Sequence, residues 1–232
     1  MVIDVIIPAL NEEASIGKVL HAIPKDLVRR IYVCDNGSTD KTAENARAAG
    51  AIVCHEALRG YGSACLKGIS CILSGPPDEY PEVLVFLDAD FSDVPSEMSL
   101  LIDAMQSRNL DMVIGSRVLG RREKGSLTRV QRFGNALSTL LIRWLFRQHY
   151  TDLGPFRAIR LEALRKMSME DPDYGWTVEM QVKAAKLKMK TGEVPVSYRN
   201  RIGKSKVSGT IRGVFGAGSK ILYIIFKSFV KG

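Results

Sequence analysis

The sequence predicts one α/β domain in which a Rossmann-like, mostly parallel β-sheet lies between two layers of helices. Short runs rich in Ile and Val alternate with segments whose apolar residues recur at helical spacing. These runs are apolar throughout, which is typical of strands in a sheet covered on both faces. The chain has 232 residues, 46% hydrophobic and 25% charged, which fits a globular core rather than a disordered or fibrous chain.

The first half of the chain contains five predicted strands separated by helices. The strands are expected at residues 2–8, 31–35, 51–55, 83–90 and 111–116, and the helices over 12–22, 36–50, 63–74 and 95–107. Pro24 ends the first helix and Gly50 the second. Ser38 or Thr39 is expected to cap the second helix, after a tight turn at Gly37. Residues 1–13 are interpreted as a strand rather than a signal peptide.

The second half is less regular. A basic, glycine-containing loop is expected over residues 117–129, followed by a helix, a strand, a helix and a strand at 130–148, 156–159, 176–188 and 193–198. A second basic loop follows. The tail, 209–232, holds six apolar residues between Lys220 and Lys227, too few to span a bilayer. An interfacial amphipathic helix, a helix packed on the domain and a homodimer contact remain open for this tail.

Charge is distributed unevenly along the chain. Residues 1–115 hold 9 Lys and Arg against 17 Asp and Glu, net −8, whereas residues 116–232 hold 24 against 8, net +16. The basic half either meets an anion such as a phosphate or a lipid headgroup, or is a solvated surface. Nucleic acid is the least favoured partner, because the basic residues fall in loops rather than in a stripe interleaved with aromatic residues.

The four cysteines match no zinc-binding spacing. We expect all four to be reduced residues of the core, because disulfide frameworks are uncommon in chains of this size and type. Cytoplasm is then the expected compartment. The residues concerned are Cys34, Cys54, Cys65 and Cys71.

Charged side chains follow several predicted strands at the carboxyl edge of the sheet, where ligands of such sheets bind. Asp88 and Asp90, separated by one residue, are suited to Mg²⁺ and, through it, to a diphosphate; the alternative is a solvated turn. Asp35 could accept hydrogen bonds from a base or a ribose. Glu12 either binds a nucleoside or complements a helix dipole.

Two further carboxylates are candidates for a general base. Asp152 precedes a sharp re-entry toward the sheet, and Glu179 lies near the start of a helix. Either residue could deprotonate an acceptor hydroxyl. With a phosphate acceptor, already ionised, Asp152 would orient rather than abstract, and Glu179 has the alternative of pairing with a nearby basic group.

The motifs taken together resemble the family 2 glycosyltransferases of the GT-A fold. The resemblance covers about residues 1–208. Within the family, the sequence is similar to the branch that contains the dolichol- or polyprenyl-phosphate sugar synthases. It is carried by PALNEE (8–13), DNGSTD (35–40), RGYGSA (59–64), LDAD (87–90), GSR (115–117), RFGNALS (132–138), TDLGPFRAI (151–159) and VPVSYRNRIGKSK (194–206).

The resemblance implies roles for individual residues. The donor pocket would be lined by Pro8, Ala9, Asn11, Glu12, Asp35, Gly60, Gly62, Asp88 and Ala89. Asp88 and Asp90 would hold Mg²⁺ or Mn²⁺. That branch often has Gln two residues after the second aspartate, and this chain has Ser92 and then Asp93, so the third ligand stays open. The acceptor phosphate would meet Arg117 and Arg132, with Arg201 and Ser205 closing over the site.

The predicted function is an inverting transfer of a sugar from a nucleotide diphosphate sugar to a polyprenyl phosphate. The enzyme is expected to be cytoplasmic, at most peripheral at the inner face of the membrane. Residues 1–116 would form the nucleotide-sugar half, 117–208 the acceptor half, and 209–232 an amphipathic tail. The same donor chemistry onto a soluble or protein hydroxyl is the alternative, with a non-catalytic membrane- or partner-binding module more remote.

Overall fold

A seven-stranded sheet forms the centre of the computed structural model, which describes residues 1–203 and 211–230. The strand order is β3-β2-β1-β4-β6-β5-β7. All neighbouring strands are parallel except β6, which runs antiparallel to both β4 and β5. The predicted α/β class is therefore confirmed. The strands are β1 Ile3–Ala9, β2 Arg30–Asp35, β3 Ile52–His55, β4 Val83–Phe86, β5 Met112–Ser116, β6 Arg157–Arg160 and β7 Thr191–Pro195.

Helices cover both faces of this sheet. They are α1 Ile16–Ala22, α2 Thr42–Ala48, α3 Tyr61–Leu73, α4 Met98–Ser107, α5 Arg129–Phe146, α6 Leu161–Met167, α7 Trp176–Lys186 and α8 Ile211–Val230. Strand β1 has buried apolar side chains on both faces of the sheet, so helices must pack on both faces. Ile6 belongs to the core beneath α3, α5, α7 and α8, whereas its neighbours Val5 and Ile7 belong to the core beneath α1 and α4.

Three element predictions differ from the structure. β4 ends at Phe86 rather than at residue 90, because only the Leu87 N–H still donates to β1, at 3.4 Å from the Ile6 carbonyl, and the Asp88 N–H donates to the Asp93 carboxylate instead. The short helix α6 is not predicted. β7 begins two residues earlier than expected and ends at Pro195, after which Tyr198 makes only isolated bridges.

The predicted capping of α2 by Ser38 or Thr39 is wrong. The Ser38 hydroxyl accepts the Asn11 N–H at 2.9 Å, and the Thr39 N–H donates to Asn11 Oδ1 at 2.8 Å. Both residues thus join the loop after β2 to the loop after β1, and α2 begins only at Thr42.

The expectation of four reduced cysteines is wrong for two of them. Cys54 on β3 and Cys71 on α3 form a disulfide, with their Cα atoms 6.8 Å apart, while Cys34 and Cys65 are free and buried. The pairing arises because α3 packs across β2 and β3, so that residues 17 apart in sequence become neighbours. The reduced-thiol argument for a cytoplasmic compartment is thereby removed.

The C-terminal tail is a helix that packs on the domain. In α8, Ile224 and Ile225 are buried against α5 and α7, and Lys220 Nζ lies 2.9 Å from the Asp171 carboxylate. Within residues 1–203 and 211–230, no helix combines the length and the apolar character needed to cross a bilayer.

Candidate active site

A cavity of about 380 Å³ opens at the carboxyl edge of the sheet. It lies there because β1, β2 and β4 are parallel, so that the segments leaving them converge. Its wall is formed by Pro8, Ala9, Leu10, Glu12, Asn36, Arg59, Gly60, Tyr61, Ala64, Asp88, Ala89, Asp90, Asp173, Tyr174 and Arg201. Most of the predicted donor-binding residues are therefore brought together.

The two predicted metal ligands are held in place by neighbouring side chains. Asp90 Oδ1 accepts the Ser92 N–H at 2.9 Å and also the Ser92 hydroxyl. Asp88 Oδ1 accepts the Tyr61 hydroxyl at 3.1 Å. Ser92 therefore orients Asp90, which accounts for a short polar residue at a position that the resemblance left open.

Negative charge accumulates at this point. Burial and the adjacent Asp90 carboxylate raise the pKa of Asp88 to about 7. Burial, together with the Asp88 and Asp90 charges, also raises the pKa of Asp93 well above its usual range. Asp93 Oδ1 is buried and has no hydrogen-bond partner among the described residues. The ionised forms of these clustered carboxyl groups are therefore disfavoured by the protein alone, and a bound cation would stabilise them.

The donor set fits a divalent cation that also binds substrate. Within the described part of the chain, no group of three or more His, Cys, Asp or Glu side chains is arranged to hold a metal. Asp88 and Asp90 alone provide two carboxylates, which suits Mg²⁺ or Mn²⁺ completed by water and phosphate oxygens.

Arg201 reaches into the cavity from the loop after β7. Its guanidinium lies 2.8 Å from Glu12 Oε1 and 3.2 Å from Asp90 Oδ2, and the next residue, Ile202, donates its N–H to the Asp90 carbonyl. Arg201 therefore lies at the site, and its closing over bound substrate stays a prediction. Ser205, predicted to act with it, lies outside the described residues.

A second cavity, of about 440 Å³, adjoins the first and shares Asp88, Asp90 and Arg201 with it. The remaining wall includes Arg117, Thr128, Gln131, Tyr198 and Asn200. Two adjoining cavities that share a carboxylate pair can hold two reactants on either side of it.

Arg117 is fixed by Asp152 beneath this second cavity. Its side chain donates to both Asp152 oxygens, at 2.8 and 2.7 Å, and its backbone N–H also donates to Asp152 at 2.8 Å. Burial lowers the pKa of Arg117, but the Asp152 charge outweighs it and the net shift is upward. Asp152 is completely buried in this pairing, which supports the orienting role and leaves it no free oxygen face toward a hydroxyl.

Glu193 in turn fixes the loop that carries Asp152. Its carboxylate accepts the Thr151 and Asp152 backbone N–H groups as well as the Thr151 hydroxyl. Sequence reasoning missed Glu193, because this residue belongs to no recognised motif. Its contact with Thr151 and Asp152 becomes evident only once β7 is known to pair with β5.

Five predicted site residues are placed differently from the expectation. Asn11 joins the loop after β1 to the loop after β2, whereas Asp35 accepts the Ser38 N–H at 3.1 Å within its own loop and lies 3.1 Å from His55 Nδ1. Gly62 is buried beneath residues 171–173. Their donor-binding roles stay predictions.

The other two residues, Glu179 and Arg132, also lie outside both cavities. Glu179 accepts the Glu170 and Asp171 N–H groups and pairs with Lys183 at 2.7 Å, so the structure favours the pairing alternative over a catalytic base. Arg132 lines a separate cavity between α5 and the loop that holds Val118 and Arg122, not the cavity that Arg117 borders, and its role toward the acceptor phosphate stays a prediction.

Sequence reasoning gave no role to the wall residues Tyr174 and Tyr198, whereas Tyr61 belongs to the Gly60–Ser63 loop that the resemblance places at the nucleotide pocket. Tyr61 and Tyr174 border both cavities, and Tyr198 lies under Arg117, whose guanidinium carbon is 5.0 Å from the ring centroid. Tyr61 stands inside the RGYGSA motif and Tyr198 just beyond β7, so position relative to strand ends was the available signal. Asn36, beside Asp35, could have been found in the same way.

A parallel α/β sheet with an acidic cavity at its carboxyl edge is the arrangement of nucleotide-dependent α/β enzymes. Residues 4–168 match the glycosyl transferase family 2, and the chain belongs to that family. It is a glycosyltransferase, as the motifs predicted.

Two relatives illustrate the range of this family. An uncharacterised glycosyltransferase of Mycobacterium tuberculosis is 36% identical over 214 residues, 91% of this chain and 92% of the relative. Undecaprenyl-phosphate mannosyltransferase of Micrococcus luteus is 31% identical over 223 residues, 90% of this chain and 88% of the relative. The predicted resemblance to the polyprenyl-phosphate branch is thus confirmed.

A solved structure shares the fold. Glucosyl-3-phosphoglycerate synthase from Mycobacterium tuberculosis, determined with Mn²⁺, UDP-glucose and phosphoglyceric acid, superposes with a TM-score of 0.76 over 99% of this chain and 80% of that chain, at 21% identity. This likeness confirms the GT-A fold.

Proposed function

We propose that this protein is an inverting, divalent-metal-dependent glycosyltransferase that moves a sugar from a nucleotide diphosphate sugar to a polyprenyl phosphate. One observation carries the proposal: two cavities meet at Asp88 and Asp90, one bounded by strand ends and the other by Arg117. The first is suited to a nucleotide sugar and the second to an anionic acceptor.

On the donor side, the loops after β1 and β2 would hold the nucleoside, through Glu12 and Asn36 on the cavity wall and through Asp35 beside it. The diphosphate would lie against Asp88 and Asp90. Mg²⁺ or Mn²⁺ held by these carboxylates would stabilise the charge that develops on the leaving diphosphate. Mn²⁺ in the structurally similar synthase supports this choice of cation.

On the acceptor side, Arg117 offers the planar set of donors that matches a phosphate, and Asp152 keeps it in orientation. An acceptor phosphate oxygen forms the new bond to the anomeric carbon. The bond from that carbon to the diphosphate breaks on the opposite face, and its electron pair leaves with the nucleoside diphosphate. A phosphate is already ionised at neutral pH, so no protein base is needed.

A soluble phosphorylated acceptor is the second candidate. It is favoured by the phosphoglyceric acid bound in the structurally similar synthase, since a phosphate is common to both acceptor types. If a hydroxyl of such an acceptor attacks, its proton must go to a base. Asp152 is occupied by Arg117 and Glu179 by Lys183, which makes the polyprenyl phosphate the better supported acceptor.

The lipid acceptor implies that the protein works at a membrane surface, with residues 1–116 as the donor half and 117–208 as the acceptor half. The cytoplasmic face of that membrane stays a prediction. Its original ground, four reduced cysteines, does not hold for Cys54 and Cys71.

The test is donor turnover with Mn²⁺ or Mg²⁺, measured with polyprenyl phosphate, with phosphoglyceric acid and without acceptor. We expect the polyprenyl phosphate to stimulate turnover and EDTA to abolish it. The double variant Asp88→Asn/Asp90→Asn should lose about 10³-fold or more, because electrostatic stabilisation of developing charge usually contributes more to catalysis than any other single effect.

Asp78→Asn, an exposed position in the turn at Pro77–Glu79, is the matched control and should behave as wild type. Stimulation by phosphoglyceric acid alone would transfer the assignment to the second candidate. Full turnover by the double variant would rule out the metal-dependent mechanism for both.

A further inference from the structure

An apolar stripe on α5 faces away from the domain. Phe133 is 70% exposed and Trp144 72%, and Val130 and Leu140 are also exposed. At 100° per residue, these four side chains fall within a sector of about 80°. The buried side of the same helix, which includes Ser138 and Ile142, lies opposite. Large apolar side chains gathered on one exposed face mark an interaction surface rather than ordinary surface scatter.

Basic residues border this stripe. On the helical wheel, Arg129, Arg132 and Arg143 occupy the sector next to it, and all three are exposed. The helix contains no Asp or Glu. A wide apolar face flanked by arginines, with no acidic residue, is the composition of a helix that lies in a lipid–water interface.

A basic cavity of about 360 Å³ runs beside the stripe. Arg122, Arg132, Arg143 and His149 line it together with apolar side chains such as Leu140. A headgroup phosphate needs this combination, because its charge meets the arginines while the adjoining chain meets apolar surface.

Helix α8, which packs against α5, carries further exposed aromatic side chains. Phe146 at the end of α5 contacts Phe229 of α8, with ring centroids 6.2 Å apart, and Tyr223 and Phe226 of α8 are exposed. The first turn of α5 contributes Gln131 to the wall of the acceptor cavity. The helix that carries the exposed stripe therefore borders the acceptor cavity at its first turn.

We propose that the exposed face of α5 docks on an anionic lipid bilayer, with Phe133 and Trp144 inserted at the acyl boundary and the arginines among headgroup phosphates. A second copy of the chain fits this surface less well, because a two-fold contact would bring like-charged arginines together. The docking itself does not depend on the proposed function. Only its purpose does, which would be to present the acceptor cavity to a lipid phosphate.

The test is co-sedimentation of the full chain with vesicles that contain no polyprenyl phosphate, either phosphatidylcholine alone or phosphatidylcholine mixed with phosphatidylglycerol. We expect binding to the anionic vesicles. Phe133→Ser/Trp144→Ser should lower the partition constant by about tenfold or more, since two large side chains lose their burial. Arg129→Gln and Arg143→Gln should each lower it about fivefold on anionic vesicles and little on neutral ones.

Leu100→Ser is the matched control. Leu100 is 44% exposed on α4, in the helix layer on the opposite face of the sheet, and its loss should leave binding unchanged. Trp144 also supplies a direct signal, because the other tryptophan, Trp176, is buried. Anionic vesicles should shift the tryptophan emission of the wild type to the blue, and Trp144→Phe should remove the shift.

Failure of the wild type to bind anionic vesicles would overturn the proposal, as would an equal loss of binding in Leu100→Ser. A dimer that Phe133→Ser/Trp144→Ser dissociates, without any vesicle binding, would assign the surface to a second copy instead. Hydrolysis of the donor without acceptor tests the proposed function separately from membrane docking. This hydrolysis should depend on Asp88 and Asp90 and not on the exposed face of α5.

Discussion

Single contacts at the residue scale decide which predicted site residues act on substrate and which position others. Arg117 and Asp152 are the clearest pair. Three hydrogen bonds join them, all between 2.7 and 2.8 Å, and Asp152 is fully buried. A carboxylate so engaged defines the direction of the guanidinium above it. We therefore infer that Asp152 is the positioning residue and that Arg117 is the group that meets the acceptor.

The variant Arg117→Lys tests this division. Lysine keeps the charge but cannot reproduce the two parallel bonds to Asp152. We expect the KM for the acceptor to rise about tenfold, with donor affinity unchanged, and the free energy of unfolding to fall by about 1–3 kcal/mol. Steady-state kinetics and urea unfolding measure these quantities.

Arg108→Lys, at the exposed end of α4, is the control and should leave both unchanged. Weaker donor binding in Arg117→Lys with an unaltered acceptor KM would contradict the assignment of the two cavities.

Close approach between elements shapes the donor cavity. The N-terminus of α3 lies against residues 171–173, and Ser63 donates both its N–H and its hydroxyl to the Pro172 carbonyl. A Cβ at Gly62 would lie 1.9 Å from the Asp171 carbonyl oxygen, and one at Gly60 would lie 2.1 Å from that of Pro172. The glycines of RGYGSA thus allow α3 to support the cavity wall formed by Asp173 and Tyr174.

The change Gly62→Ala should therefore push these two segments apart. We expect the free energy of unfolding to fall by about 1–3 kcal/mol and donor affinity to fall with it, because the overlap is with backbone that has little room to move. Gly17→Ala on α1 is the matched control. Its new Cβ would meet nothing within 4 Å, so it should stabilise the protein by about 0.5–1 kcal/mol through helix propensity. Equal effects of the two substitutions would show that the close approach is unimportant.

The elements also show how far sequence reasoning extends. Among the first five strands, β1, β4 and β5 were the most readily predicted, because they are buried on both faces and therefore almost continuously apolar. The acidic residues of the site were predictable because they follow such strands directly. The side of α5 on which Arg132 lies was not predictable, since both sides of that helix carry apolar residues and only the packing of Ile142 decides between them. Glu193 was not predictable, because its partners Thr151 and Asp152 come from a distant segment. The partner of Glu179, Lys183, lies one helical turn away and could have been found from the sequence.

At the scale of the whole molecule, an acidic first half and a basic second half of the chain meet at one carboxylate pair. Arg201, which comes from the basic half, lies 3.2 Å from the Asp90 carboxylate and partly offsets the charge of Asp88 and Asp90. Two carboxylates form an incomplete coordination shell, and the described residues offer no third acidic, histidine or cysteine ligand. Metal and diphosphate should therefore each need the other in order to bind tightly.

Thermal unfolding measures this interdependence. We expect Mn²⁺ alone and a nucleoside diphosphate alone, with UDP and GDP tested in parallel, to change the Tm little. Together they should raise it by more than the sum of the separate shifts. A pair present at about 100 times its dissociation constant adds about 2.7 kcal/mol, or about 5–10 °C for a domain of this size. The excess should vanish in Asp88→Asn/Asp90→Asn and persist in Asp78→Asn. Shifts that merely add in the wild type would mean that the cation does not bridge the aspartates to the diphosphate, because a bridging ion couples the two binding free energies by necessity.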